Sequence, residues 1–303
     1  MAIRTARYSE TATVRIDYEK CKACCLCVKV CKGAPLYLEN GKVNIDQTRY
    51  FGCIGCGHCA AVCPTGAITV EGRDISQTSF MNIPAEETRA GYEELIALML
   101  ARRSIREFED REVEQEKIDR ILAAASTAPM GIPPSDVEVL VISGKEKVRE
   151  FSDDMLEHMK SQKWAFSKPA LLLMRPLMKR EEYEVLDKFM YPAIEIFEEM
   201  RKEDTDYLLY GAPLAMYFHV SPYADPADPL ITATYAMLAA ETLNLGSCMI
   251  GTIGPMLKNG GKEVKEKYGI NTRNQPGIVV IFGYPTVKYR RAIRRNLAKV
   301  HHY

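Results

Sequence analysis

Residues 21–31 read CKACCLCVKVC and residues 53–63 read CIGCGHCAAVC. Taking Cys21, Cys24, Cys27 and Cys31 gives C-x2-C-x2-C-x3-C, and Cys53, Cys56, Cys59 and Cys63 repeat the interval 32 residues later, with Pro64 following. Three cysteines spaced by three residues let a tight loop wrap one face of a cuboidal cluster, while the fourth points toward a second cluster. The spacing predicts two [4Fe-4S] clusters with crossed ligands. Cys21, Cys24, Cys27 and Cys63 hold one, and Cys53, Cys56, Cys59 and Cys31 hold the other. Structural zinc sites, the alternative, use ligands in two pairs and fit this triple-plus-one repeat poorly.

Nine of the ten cysteines lie between 21 and 63. Substituting Cys25 for Cys24 breaks the match with the second repeat, so Cys25 is read as a spare residue beside the cluster, its alternative a redox-labile thiol. His58, between two ligands, could serve as an alternative ligand, but the complete cysteine set favours a donor to sulfide or a plain loop residue. Gly52, Gly55 and Gly57 thread the second loop, where small residues let backbone amides approach sulfide. YLENGKVNID between the repeats reads as a hairpin on its Asn-Gly turn, and TGAITVEG as a final strand. Residues 10–72 resemble a bacterial two-cluster ferredoxin, with Lys32 where that family has proline after the fourth cysteine.

At 303 residues the chain is long enough for two domains. Apolar residues make up 47% and charged residues 26%, an ordinary globular composition. Forty basic residues balance forty acidic ones, which argues against nucleic-acid binding driven by bulk charge. No apolar run reaches the roughly 18 residues of a membrane span, and no export signal is read at the N-terminus. A cytoplasmic location is expected.

A different rhythm begins at Tyr92. YEELIALMLARRSIREF is an apolar helical stretch running into arginines, and Ile118, Ile121, Leu122 and Ala125 recur at amphipathic-helix spacing. VEVLVI at 137–142, GAPLAMYFHV at 211–220 and GIVVIFGYP at 277–285 read as strands. Between them fall a helix on KVREFSDDMLEHM, an acid-rich helix near 181–203, and PLITATYAMLAAETLNLG closed by Gly246. The expected class is α+β, a mixed sheet flanked by helices.

RRSIREF at 102–108, APMG at 128–131, YGAP at 210–213, LNLGSCMIG at 243–251 and FGYP at 282–285 follow in order the nitroreductase family of FMN flavoproteins. That resemblance covers residues 92–300. It implies that Arg102, Arg103, Ser104 and Arg106 serve the FMN phosphate and the anionic reduced ring. Pro129, Met130 and Gly131 match the loop covering the flavin, with Pro133 and Ser135 where the family often has asparagine and glutamine. Ile250, Gly251 and Thr252 match the turn facing the flavin N5, and Arg291 and Arg295 match phosphate-contacting positions. Cys248 reads as a small core residue. No side chain stands out as a proton donor, so none is assigned as catalytic.

The expected organisation is a two-cluster ferredoxin-like domain at 1–75, a linker at 76–90 and a nitroreductase-like FMN domain at 91–303. An external donor, a ferredoxin-like protein or NAD(P)H, would pass electrons through the clusters to FMN. The flavin would then reduce a small organic acceptor such as a nitroaromatic or an enone. The resemblance further implies a homodimer. The alternative function is an electron-transfer or redox-sensing subunit serving a protein partner. No strand-G-x-G-x-x-G-helix unit marks a separate dinucleotide domain.

Overall fold

The computed structural model describes residues 7–258 and 261–303. In the cysteine-rich part, β1 (Thr13–Ile16) pairs antiparallel with β4 (Ile68–Glu71), so the two ends of the repeat close on each other. Between them run α1 (Leu26–Val30), the hairpin β2 (Leu36–Glu39) and β3 (Lys42–Ile45), and α2 (His58–Ala61). Asn40 and Gly41 both take left-handed φ in the hairpin turn, as an Asn-Gly connection between right-twisted strands requires. Ala12, Val14, Leu36, Val43, Ile68 and Val70 form a small core with Cys27, Cys53 and Cys59.

Residues 72–91 carry only short helical turns and are mostly exposed, as their polar composition anticipates. The larger part then follows in the order α3 (Tyr92–Ala101), α4 (Gln115–Ala125), β5 (Val137–Ser143), α5 (Lys145–Gln162), α6 (Lys168–Met174), α7 (Arg180–Val185) and α8 (Tyr191–Lys202). It continues with β6 (Leu214–Val220), α9 (Asp228–Thr242), β7 (Gly246–Ile250), α10 (Ile253–Lys258), α11 (Lys262–Lys267) and β8 (Gln275–Gly283).

One four-stranded sheet, in the order β5-β6-β8-β7, organises this part. Alternate residues of its central strands face opposite layers. Leu214, Met216 and Phe218 of β6 and Ile278, Val280 and Phe282 of β8 pack with α4 and α9. Ala215, Tyr217, Val279 and Ile281 pack with Phe151, Met155 and Met159 of α5, Ile194 of α8, and Ile253, Met256 and Leu257 of α10. Helices on both faces explain why these strands read as continuous apolar runs.

The α+β class holds. The named strands pair antiparallel throughout, and the parallel element is a single bridge between Ser104 and Ser247. The helix after Asp228 stops at Asn244 rather than Gly246: Asn244 takes φ 59° and the Leu245 amide donates to the Ala240 carbonyl, while Gly246 opens β7. The acid-rich segment is two helices joined by a wide turn at 186–190. Pro192 lacks the amide that a continuous ladder needs. No helix among the described residues is long and apolar enough to cross a membrane.

Two glycines let α10 and the sheet close together. A Cβ on Gly277 would lie 1.6 Å from the Phe218 carbonyl oxygen, and one on Gly254 would lie 2.1 Å from the Gly277 carbonyl oxygen. Both neighbours are backbone and cannot rotate away. Gly277→Ala should therefore cost about 3 kcal/mol or more, read as lost soluble yield or a large fall in Tm. A variant with native Tm would refute this packing.

Tyr284, just past β8, is clasped to α4: its hydroxyl donates to Glu114 and accepts from Lys117 Nζ at 2.8 Å, with Arg111 over its ring at 3.9 Å. The tyrosine hydroxyl, and then Arg111, hold the Glu114 carboxyl down to about 2. A carboxyl depressed on folding stabilises above its unfolded pKa, about 4.3, and loses that contribution as pH falls toward the folded value. The Tm gap between wild type and Glu114→Gln should thus be full at pH 6 and close as pH approaches 2.

Candidate functional site

The eight repeat cysteines sort into two cavities. One is lined by Cys21, Cys24, Cys27 and Cys63, with Cys25 also on its wall. The other is lined by Cys31, Cys53, Cys56 and Cys59. Each triplet thus meets the fourth cysteine of the other repeat. Among the described residues no three His, Cys, Asp or Glu side chains converge to hold a single metal ion. Thiols spread around a cavity suit a group with several metals better than one zinc.

Local backbone makes the rings possible. Ala23 and Cys25 in the first loop, and Gly52, Gly55 and Gly57 in the second, take left-handed φ, which turns the chain sharply between ligands. A Cβ on Gly57 would lie 2.6 Å from Ile75 Cδ1. Burial pushes the Cys59 thiol up to about 12 and also raises Cys27 and Cys53. Burial would raise Cys63 too, but the Thr65 hydroxyl and nearby amides outweigh it, Ala67 N–H reaching the sulfur at 3.3 Å. Thiols this desolvated stay protonated unless a cationic group displaces the protons.

Cys25 lies on the first cavity wall with its Sγ 3.2 Å from the Ala23 carbonyl oxygen. His58 is exposed at the start of α2, outside the lining of the second cavity.

Beside β7, the arginine segment runs as an added edge: Ile105 N–H donates to Ser247 O at 3.0 Å, and Ser104 bridges Ser247. Strand alternation then divides its side chains. Arg103 and Ile105 line an open cleft of about 960 Å³ with Glu241, Asn244, Gly246, Lys288 and Tyr289. Arg106 sits over the Tyr210 ring at 5.6 Å. Arg103 Nε and Nη2 and Ser247 Oγ are buried without a hydrogen-bond partner. Burial raises the Glu241 carboxyl while Arg102 and Arg103 pull it down. Arg103 Nη1 donates to the Arg102 carbonyl at 2.6 Å; the two donors left over, Nε and Nη2, fit an anionic group, and the space at Gly251, where an added Cβ meets nothing within 4 Å, fits a ligand laid on the backbone.

Ile250, Gly251 and Thr252 end β7 and lead into α10. Pro129, Met130 and Gly131 lie elsewhere. Gly131 N–H donates to Asp228 Oδ1 at 3.0 Å, at the start of α9, whereas Arg103 shares its cleft with Glu241 near the end of α9. That is about 20 Å along the helix axis. The loop also leads into β5, at the opposite edge of the sheet from β7, roughly 14 Å across. One chain does not bring its Pro129–Gly131 loop to its own arginines. Arg291 and Arg295 are exposed in a C-terminal segment without helix or strand. Cys248 is buried in the core.

Arg73, Glu241 and Ser247 were not singled out from the sequence. Arg73 follows the last strand in a tight turn, and its guanidinium donates to Glu10 O at 3.1 Å and Pro133 O at 2.9 Å. Only the turn Gly72-Arg73-Asp74 signalled anything there.

Such an arrangement joins a cysteine-rich part, built around two thiol-lined cavities, to a separate α+β domain. The chain belongs to the nitroreductase family, whose model matches residues 99–284, and a 4Fe-4S binding domain matches residues 52–69. The chain is 30% identical over 163 residues to the FMN reductase [NAD(P)H] of Bacillus subtilis, 53% of this chain and 55% of that one. A ferredoxin of Methanothermococcus thermolithotrophicus is 39% identical over 61 residues, 20% of this chain and 98% of the ferredoxin. The archaeal-type glutamate synthase [NADPH] of Thermotoga maritima is 46% identical over 67 residues, 22% of this chain and 12% of the synthase. The chain thus spans between about an eighth and just over half of the two larger enzymes.

The fold is shared with a nitroreductase with bound FMN from Bacteroides fragilis, at TM-score 0.50 and 18% identity over 69% of this chain and 99% of that one. A second nitroreductase with bound FMN, from Desulfitobacterium hafniense, gives TM-score 0.50 and 21% identity over 69% and 97%.

Leaving a buried donor such as Arg103 Nε or Nη2 without a partner costs roughly 1–3 kcal/mol. In protein stripped of small molecules, millimolar inorganic phosphate should raise Tm. Arg103→Met should raise the starting Tm and abolish the phosphate shift; an unchanged shift would show that the anion sits elsewhere.

Proposed function

We propose that this chain takes electrons from an external donor through two [4Fe-4S] clusters to FMN and reduces a small organic acceptor, a nitroaromatic, an enone or a similar molecule. The observation that carries the reading is the crossed pair of thiol-ringed cavities, closed by Cys63 and Cys31. In this reading residues 1–75 receive electrons, 76–90 connect, and 91–303 hold the flavin. FMN, when bound, supplies two-electron storage and hydride delivery from N5.

The residues present suit these groups. Cys21, Cys24, Cys27 and Cys63 would hold one cluster and Cys31, Cys53, Cys56 and Cys59 the other. Arg103, with buried donors unmatched, would take phosphate, with Arg102 adjacent to it in sequence. Ser104 and Arg106 flank β7, where Arg106 would set a positive charge against the ring, and Ile250, Gly251 and Thr252 would offer backbone at the end of that strand. Arg291 and Arg295 would reach phosphate from the C-terminal segment.

The separation of Pro129–Gly131 from the arginines supports a homodimer, in which the loop of a second copy completes the flavin site. Exposed apolar residues give that copy a surface: Leu95, Met99 and Leu100 on α3, and Ile293, Leu297 and Val300 in the C-terminal segment. The donor is a ferredoxin-like protein or NAD(P)H, the latter supported by the name of the Bacillus relative.

Anaerobically purified protein should carry about eight iron and eight sulfide per chain and an FMN spectrum. Stopped-flow mixing with the competent donor, chosen among NADH, NADPH and reduced ferredoxin, should show cluster bleaching before flavin bleaching. Zinc in place of iron, or colourless protein after reconstitution, would refute the reading.

A further inference from the structure

The proposed electron path rests on the reading above, and the geometry adds its direction between copies. Arg73 is 6% exposed. On one side it packs against the second cysteine loop: a Cβ on Gly55, between Cys53 and Cys56, would lie 3.3 Å from Arg73 Cβ. On the other side its Nη2 donates to the Pro133 carbonyl at 2.9 Å. Pro133 belongs to the segment that begins at Pro129–Gly131 and leads into β5. The Cys31–Cys53–Cys56–Cys59 cavity is therefore docked near the start of α9 and the β5 edge. The arginines 102–106 lie along β7, on the far edge of the same sheet, with Arg103 near the end of α9.

Electron tunnelling falls off exponentially with distance, so a site docked at one edge of a domain is badly placed to serve a flavin at the other. A second copy that brings its 128–135 loop to those arginines also brings its own Arg73 and the cysteine loop behind it. We propose that electron delivery crosses the dimer: the Cys31–Cys53–Cys56–Cys59 site of one copy serves the flavin held by Arg102, Ser104 and Arg106 of the other. Arg73 is the positioning residue that docks this site on the flavin-covering loop. The Cys21–Cys24–Cys27–Cys63 site is then the outer one, which meets the donor. Two one-electron transfers, each oxidising the inner site by one electron, combine with two solvent protons to balance one two-electron reduction of FMN. The external donor replaces both electrons.

The guanidinium also sets a fixed positive charge beside Cys53. A nearby cation stabilises the reduced, more negative form of a thiolate-ligated cluster and so raises its potential. That makes the inner site the better acceptor of the two and favours inward flow.

The test uses full-length mixed dimers. One tagged chain carries Cys53→Ser, Cys56→Ser and Cys59→Ser; the other, differently tagged, carries Arg102→Ala and Arg106→Ala; both are co-expressed and purified through both tags. With the donor identified above, the mixed dimer should bleach its flavin at the wild-type rate with about half the wild-type amplitude, while each parent homodimer is slower by tenfold or more. A mixed dimer no faster than its parents overturns the crossing. Adding Arg73→Gln should slow the mixed dimer only when the cluster-bearing chain carries it.

As an independent readout, EPR redox titration of wild-type and Arg73→Gln protein should show the reduced-to-oxidised ratio of one centre falling about tenfold at fixed potential, or 59 mV for one electron. The shifted centre should be the one whose signal changes in Cys56→Ser, and Arg73→Lys should restore part of the shift. Two centres that both stay at wild-type potentials overturn the role of Arg73. Missing iron or flavin in the wild type defeats the earlier reading; full cofactor content with a silent mixed dimer defeats only this one.

Discussion

Each ring of thiols is closed by a cysteine from the other half of the repeat, and much else follows from that crossing. Cys63 reaches the cavity built by Cys21, Cys24 and Cys27, and Cys31 reaches the one built by Cys53, Cys56 and Cys59. Neither half can complete its cavity alone, so β1 must find β4, which it does over four residue pairs. The apolar core here is small, about six aliphatic side chains beside the sulfurs. A unit this size depends on its bound groups for stability. The raised thiols make the same point, since metal–thiolate bonds must offset the cost of removing buried protons.

The larger domain solves a different problem, holding a polar site against a dry sheet. β6 is buried throughout and β8 from Ile278 onward, so an unpaired polar group is costly there; His219 of β6 is held by a hydrogen bond with Asn274. Functional groups gather where the sheet runs out. The segment 102–108 adds an edge to β7, and Gly246 allows it to lie close: a Cβ there would be 2.6 Å from Ile105 Cγ1. Ile105 buries its side chain as the hydrophobic pin, while its neighbours Arg103 and Ser104 are left with donors and hydroxyls at the margin. The unmatched Arg103 and Ser247 atoms are the residue of that compromise.

The cysteine half was legible because its chemistry is local in sequence. The Asn-Gly turn and the final strand each depend on a few adjacent residues, and both appear where the sequence places them; the repeat's spacing likewise gathers its cysteines at two cavities. The helices and the three long apolar strands were legible for the same reason. β7 was not: GSCMI is short, follows a helix directly and becomes a strand only because β8 and the 102–108 segment flank it. The helix stop moved from Gly246 to Asn244 because Asn tolerates the left-handed conformation and Gly246 was needed for the close contact with Ile105. The division between Arg103 and Gly131 is wholly tertiary. Both segments match one family site in order along the chain, yet opposite ends of α9 keep them apart.

That division bears on why the two parts share a chain. If one copy held its flavin and its loop together, a free ferredoxin could dock equally well from solution, and fusion would add only local concentration. With the proposed flavin residues at one edge and the cysteine-rich unit tied to the other, attachment would do something more specific. The turn that carries Arg73 and Asp74 holds two successive non-glycine residues at φ 54° and 65°, a conformation that costs of order 1–3 kcal/mol each. Such strain persists only where surrounding contacts over-determine it. Arg73 donates to the carbonyls of Glu10 and Pro133, packs against the cysteine loop at Gly55 and lies 5.8 Å from the Tyr8 ring, so several segments converge on the strained turn, among them those that in the proposed path keep a fixed distance. Covalent linkage and this buried cation together convert a diffusional encounter into a fixed geometry, and in the proposed dimer they do so on the face of the domain that a second copy would complete.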